Sequence, residues 1–224
     1  MSTEYVIRRA VTAPDFSSWN AFSRQPAEEV VVASFRVESS GHHPEIRCRL
    51  LYHERELVGM FHVADQYVRC VRKGYNESVC RDSCVEFFVQ PFARTPYFNF
   101  EMNCGGAMLC SYIEDAARTP QGFAKFTVLP AEELQAVRRY PSLPARIDPE
   151  ITAPTEWTLG FAIPFALMEK YCGPINPAAL SGSRWRGNFY KCADETSHPH
   201  WASWQPVSAL NFHLPECFGS LKFE

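Results

Sequence analysis

With 224 residues, 46% of them hydrophobic, and a formal charge of -3, the chain can bury roughly 70% of its unfolded surface without help from disulfides or a metal. The weak net charge gives no clustered Lys and Arg field, so nucleic acid is not an expected partner. No apolar run approaches the ~18 residues of a membrane span, and MSTEYVIRRAVTAPDF lacks a secretory core, so no membrane is expected and the chain as written reads as cytoplasmic, or as secreted from a longer precursor whose signal was removed.

Taken in chain order, the first ~25 residues show no sustained periodicity and are expected to form an irregular extension. Runs with period-two or β-rich character follow at EEVVVASFRV, IRCRLLYH, ELVGMFHV, QYVRCV, CVEFFVQ, YFNFEMN, AMLCSY, AKFTVL, WTLGFAI, RWRGNFYKC and SLKF, which predicts about ten strands. Pro, Gly, Asn and Asp clusters such as SSGHHPE, RTPQG and PSLPARIDPEITAPTE separate them as loops. Only PAEELQAVRRY and FALMEKYCG have helical character, the second closing on Gly173 and Pro174. Without βαβ alternation, repeat or linker, residues 1–224 are expected to form one all-β domain, a two-sheet antiparallel β-sandwich with one or two short helices. The nine cysteines, odd in number and set in apolar strand patterns, are expected to be reduced and buried.

The segment RDSCVEFFVQPFARTPYFNFEMNCGG carries the chemistry most worth weighing. Asn99, Glu101 and Asn103 alternate with Phe98, Phe100 and Met102, and Glu86 interrupts an apolar run. Two carboxylates on adjacent strands can reach the ~5–9.5 Å separation of a glycosidase pair, but the same alternation describes a polar ligand-binding face or a solvated surface. RWRGNFYKC repeats the pattern, with Arg184, Arg186, Asn188 and Tyr190 opposite Trp185 and Phe189. Guanidinium, carboxylate and amide groups each engage two partners and so suit vicinal hydroxyls; a half-exposed strand accounts for the pattern equally well. Trp201, Trp204, Phe212 and Phe218 lie in the turn-rich C-terminal segment, where aromatic rings can stack on sugar faces or pack in the core. No cofactor is required: His198 and His200 have no HExxH context, Cys80 and Cys84 have no second matched pair, and no GxSxG, Walker or dinucleotide motif is present. A structural calcium on Asp65, Asp82 or Glu114 is left open.

In order, DSCVEFF, YFNFEMNCGG, WTLGFAIPF, WRGNFYKC, SWQPV and FHLPECFGSLKF resemble the family 9 carbohydrate-binding modules, from about residue 45 to the end. The resemblance implies a jelly-roll, DOMON-type β-sandwich that binds a terminal sugar between two aromatic rings without hydrolysing it. It places the family's acid at Glu86, its closing aromatic at Phe212, where Trp is typical, and its hairpin amide at Asn103. The chain departs from the pattern at Cys80, where the other ring is expected, and at Glu101, where Arg is frequent. Loss of one ring removes roughly 1–2 kcal/mol of stacking, about tenfold in affinity. The expected carbohydrate-binding set is Glu86, Glu101, Asn103, Asn99, Arg186, Asn188, Trp204 and Phe212. The alternatives are a hydrolase using Glu86 and Glu101, a haem-binding domain with Met60, Met102 or His62 as axial ligand, and an interaction domain without a ligand.

Overall fold

The computed structural model describes residues 4–93 and 96–224. Its strands and short helices are β1 (Glu4–Arg9), α1 (Trp19–Phe22), β2 (Val30–Val31), β3 (Ser34–Phe35), β4 (Glu45–His53), β5 (Glu56–Asp65) and β6 (Val68–Cys70). Then come β7 (Cys84–Gln90), β8 (Tyr97–Asn103), β9 (Met108–Thr119), β10 (Gly122–Val128), α2 (Ala131–Leu134), β11 (Arg138–Pro141) and β12 (Ile147–Ile151). The chain finishes with β13 (Thr155–Pro164), α3 (Phe165–Cys172), β14 (Arg184–Cys192), β15 (Trp201–Ser203) and β16 (Gly219–Phe223).

One sheet runs β10-β9-β8-β7-β14-β16 and the other β4-β5-β13-β11. Strand β1 joins them, its Glu4–Ile7 half parallel to β16 and its Arg8–Arg9 end parallel to β4. The irregular N-terminal extension expected from the sequence is therefore corrected: Tyr5 and Ile7 are core residues. Two alternating buried positions are too few to register as a strand when they are read without the edges that pair with them.

Period-two alternation turns Val85, Phe87 and Val89 toward the second sheet. There Phe87 stacks against Phe189 at 5.0 Å and faces Phe161 at 6.0 Å, and Phe61 lies 6.0 Å from Phe161. These rings fill the space between the sheets, as face-to-face sheet packing about 10 Å apart requires. Gly59 is specified by this core, because a Cβ there would sit 2.3 Å from Phe161 Cζ.

Helix α3 forms where the sequence predicts it, burying Phe165, Leu167 and Met168 and ending at Gly173 with φ 86°, a left-handed conformation that glycine adopts without cost. The helix expected over PAEELQAVRRY shrinks to α2, and Arg138–Pro141 instead pairs with β13 as an edge strand. A free sheet edge outweighs local helix propensity, and Arg138 adds a bidentate contact to Glu56 at 2.8 and 3.0 Å. All nine cysteines are unpaired.

Candidate functional site

The outer face of the first sheet presents three successive rows across β8, β7 and β14. Asn103, Cys84 and Cys192 form one row, Glu101, Glu86 and Tyr190 the next, and Asn99, Phe88 and Asn188 the third. The shared face expected for Asn99, Glu101 and Asn103 is thus present. It is not a solvated surface, since every residue of β7 and β8 is buried.

What covers it is a strap of chain, residues 205–218, that packs Val207, Phe212, Leu214 and Phe218 onto Phe88, Tyr97 and Tyr190. Part of the polar row holds this strap down. Asn188 donates its amide to the Gln205 carbonyl and accepts from the Gln205 N–H, both at 2.9 Å. Arg186 donates to the carbonyls of Glu216 and Phe218. The Tyr190 hydroxyl donates to the Phe212 carbonyl at 3.1 Å, and the Phe212 ring stacks on Tyr190 at 4.1 Å. Tyr97 Oη lies 3.0 Å from His213 Nδ1.

Where the strap stops short of the upper rows, a cavity of about 300 Å³ remains, lined by Glu86, Glu101, Arg118, Asp194, Trp201 and Phe212, with Cys80, Cys192 and His213 at its edges. That is the small end of the ~300–1,000 Å³ range of ligand clefts and suits a terminal ring better than a length of polymer. Glu86 and Glu101 are direct cross-strand partners. Burial, then the neighbouring Glu101, pushes Glu86 far above the carboxylate range. Burial pushes Glu101 up to about 7, despite a hydrogen bond from Asn99 at 2.8 Å. Burial and the nearby Arg118 hold His213 down at about 3, as neutral imidazole. Arg118 lies 4.2 Å over the Phe123 ring. Trp201 donates its indole N–H to Asp194 at 2.8 Å.

Of the residues expected to form the ligand set, Glu86, Glu101 and Phe212 line this cavity, and Asn99 stands behind Glu101. Asn188 and Arg186 anchor the strap. Asn103 accepts from Ala107 N–H and donates to Asp82 and to the Arg72 carbonyl, which fixes the hairpin turn and the loop bearing Cys80. Trp204 is a core side chain, 5.8 Å from Phe189 and packed where a Cβ on Gly219 would lie 2.5 Å from its ring. Trp201, three positions earlier on the other face, is the tryptophan at the cavity. Arg118, Asp194 and His213 escaped the sequence reading because they lie at strand ends and in the strap, where no periodicity marks them.

Cys80 and Trp201 both line the cavity, and Trp201 provides a ring there. The carboxylates considered for calcium are separated and engaged: Asp65 by His42 and Lys191, Asp82 by Arg69 and Arg72, and Glu114 by Lys125. Met60 and Met102 belong to different buried clusters, and His62 faces Glu156, so these side chains do not share a haem-sized space. Two groups of metal-capable side chains do converge among the described residues: His42, Asp65 and His200, and Cys84, Glu86 and Cys192. Lys191 Nζ occupies the first at 2.8 Å from His200 Nε2.

Comparison with known proteins relates the chain to carbohydrate-binding modules. A candidate carbohydrate-binding protein from Bacteroides uniformis is 28% identical over 99% of both chains, with a TM-score of 0.84. A family 9 carbohydrate-binding module from Caldicellulosiruptor kristjanssonii, solved with glucose, shares the fold at 11% identity, covering 99% of this chain and 95% of that one, with a TM-score of 0.64. Its complex with cellotriose gives 0.62 at 11% identity, with 99% and 93% covered. Comparison with curated protein sequences returns no match. The model of carbohydrate-binding family 9 matches residues 18–223, and the chain belongs to that family.

Proposed function

We propose that the cavity beneath the strap binds the terminal ring of a saccharide without cleaving it. The observation that carries this reading is the joint placement of two aromatic rings, Phe212 and Trp201, and a cluster of hydrogen-bonding groups, Glu86, Glu101, Asp194 and Arg118, around one small cleft. Phe212 spends one face on Tyr190, which leaves its other face for the apolar side of a pyranose, while the polar groups meet the hydroxyls. Trp201 takes the part of the ring that Cys80 cannot supply. The bound sugars of the Caldicellulosiruptor module support a gluco-configured ligand. Hydrolysis is not favoured: Glu86 and Glu101 rise side by side from one sheet face, whereas a hydrolase sets its two carboxyls on either side of the scissile bond.

Titration calorimetry with mono- and oligosaccharides tests the proposal. Binding is expected for the intact chain, and Glu86→Ala and Phe212→Ala are each expected to weaken it about tenfold or more, the loss that follows from removing ~1.4 kcal/mol or more of contact. Absence of binding at millimolar sugar, or losses matched by equal losses of thermal stability, would count against it.

A further inference from the structure

Beneath the proposed sugar cavity lies a set of donors of which sugar recognition uses only Glu86, leaving both thiols without a part in it. Cys84 on β7 and Cys192 on β14 are directly opposed across the sheet. Glu86, two residues along β7, points the same way, and its Oε1 accepts from Cys192 Sγ at 3.0 Å and lies 4.0 Å from Cys84 Sγ. The donor atoms of Cys84, Glu86 and Cys192 all lie within 4.8 Å of one another. Cys80, from the segment before β7, packs against the buried cluster that holds Cys84 and Cys192 and lines the cavity with Cys192 and Glu86. Sequence spacing hid this cluster, because its members come from two distant segments, residues 80–86 and Cys192, brought together by strand register.

We propose that Cys84, Cys192 and Glu86 form a site for a borderline-soft divalent cation of the zinc class, with its fourth position toward the cavity, where Cys80 stands. Two thiolates and a carboxylate are a donor set that favours tetrahedral Zn²⁺ over calcium or magnesium, which take oxygen. Coordination releases the two thiol protons and the Glu86 proton and leaves the metal's oxidation state unchanged. Lys191, a buried cation on β14, is turned toward Asp65 and leaves these donors to an incoming ion. The alternative is that the thiols only fill space, as buried cysteines often do.

The test uses the full chain, reduced and stripped of metal, titrated with Co²⁺ as a spectroscopic substitute for Zn²⁺. The expected result is one equivalent of Co²⁺ giving thiolate-to-cobalt charge-transfer absorption and tetrahedral d–d bands, both abolished by added Zn²⁺. Cys192→Ser should lower Co²⁺ affinity at least tenfold, and Cys172→Ser, at the end of α3, should leave it unchanged. Should Cys192→Ser fail to fold, alkylation of the native chain decides: Zn²⁺ is expected to slow modification of Cys80 and Cys192 and not of Cys172 and Cys217. No thiolate absorption from the folded native chain, the same absorption in Cys192→Ser, or Zn²⁺ protection absent from Cys80 and Cys192 would overturn the proposal. None of these readouts depends on sugar binding.

Discussion

Glu86 and Glu101 face each other across two strands and are both buried, an arrangement that costs free energy whenever both are ionised. Glu101 titrates near 7 in the folded chain against an ordinary 4.5. Its folded form therefore holds the proton more tightly than the unfolded form, and its contribution to stability is complete below about pH 4.5 and is lost as the pH rises through about 7. Glu101→Gln, which cannot ionise, is expected to raise stability at pH 8 by an amount on the order of 3 kcal/mol and to flatten the decline between pH 5 and 8; melting curves of the ligand-free chain at several pH values check this. An unchanged slope would mean that the carboxyls are solvated. At this scale much was legible: period-two alternation put Glu86 on the correct face and Glu101 with Asn99 and Asn103. Burial was not, because the strap that covers this face lies more than a hundred residues further along the chain, and no pattern in β7 or β8 reports it.

The strap and its anchors are the element on which the site depends. Asn188 and Arg186 read from sequence as ligand-facing amide and guanidinium groups, and their residue types did match a polar recognition task. The task proves to be recognition of backbone carbonyls and N–H groups in residues 205–218. Asn188→Ala leaves the Gln205 amide and carbonyl without their buried partner, at a cost of about 1–3 kcal/mol. It also frees the segment that carries Phe212 and His213. Reduced stability together with faster hydrogen exchange confined to residues 205–218 is the expected outcome, read by mass spectrometry; uniform acceleration across both sheets would show that Asn188 supports the fold at large. The same scale shows why α3 was legible and β11 was not. Helix α3 carries its own stop signal at Gly173, whereas Arg138–Pro141 takes its conformation from the edge of β13, which its own sequence does not encode.

In the molecule as a whole, β1 ties the two sheets at their edges, and a buried ion pair, Lys191 Nζ to Asp65 at 3.5 Å, ties them near the ends of β14 and β5. Burial raises the Asp65 carboxyl, but Lys191 and a hydrogen bond from His42 outweigh it and hold it well below its usual range. The sandwich that results leaves one sheet face covered by the strap, with the cavity between them. The two-sheet class was readable because alternating runs between turn clusters dictate it; the N-terminal strand was not, because its pairing to β16 and β4 is parallel and joins opposite ends of the chain. The central claim is that a sugar ring enters between Phe212 and Trp201, over Glu86. Crystals of the full chain soaked with a mixture of glucose and cello-oligosaccharides test it most directly: a terminal ring stacked on Phe212 with hydroxyls on Glu86 or Glu101 is the predicted density, and a sugar ordered only elsewhere on the surface, with this cavity holding solvent, would contradict the account.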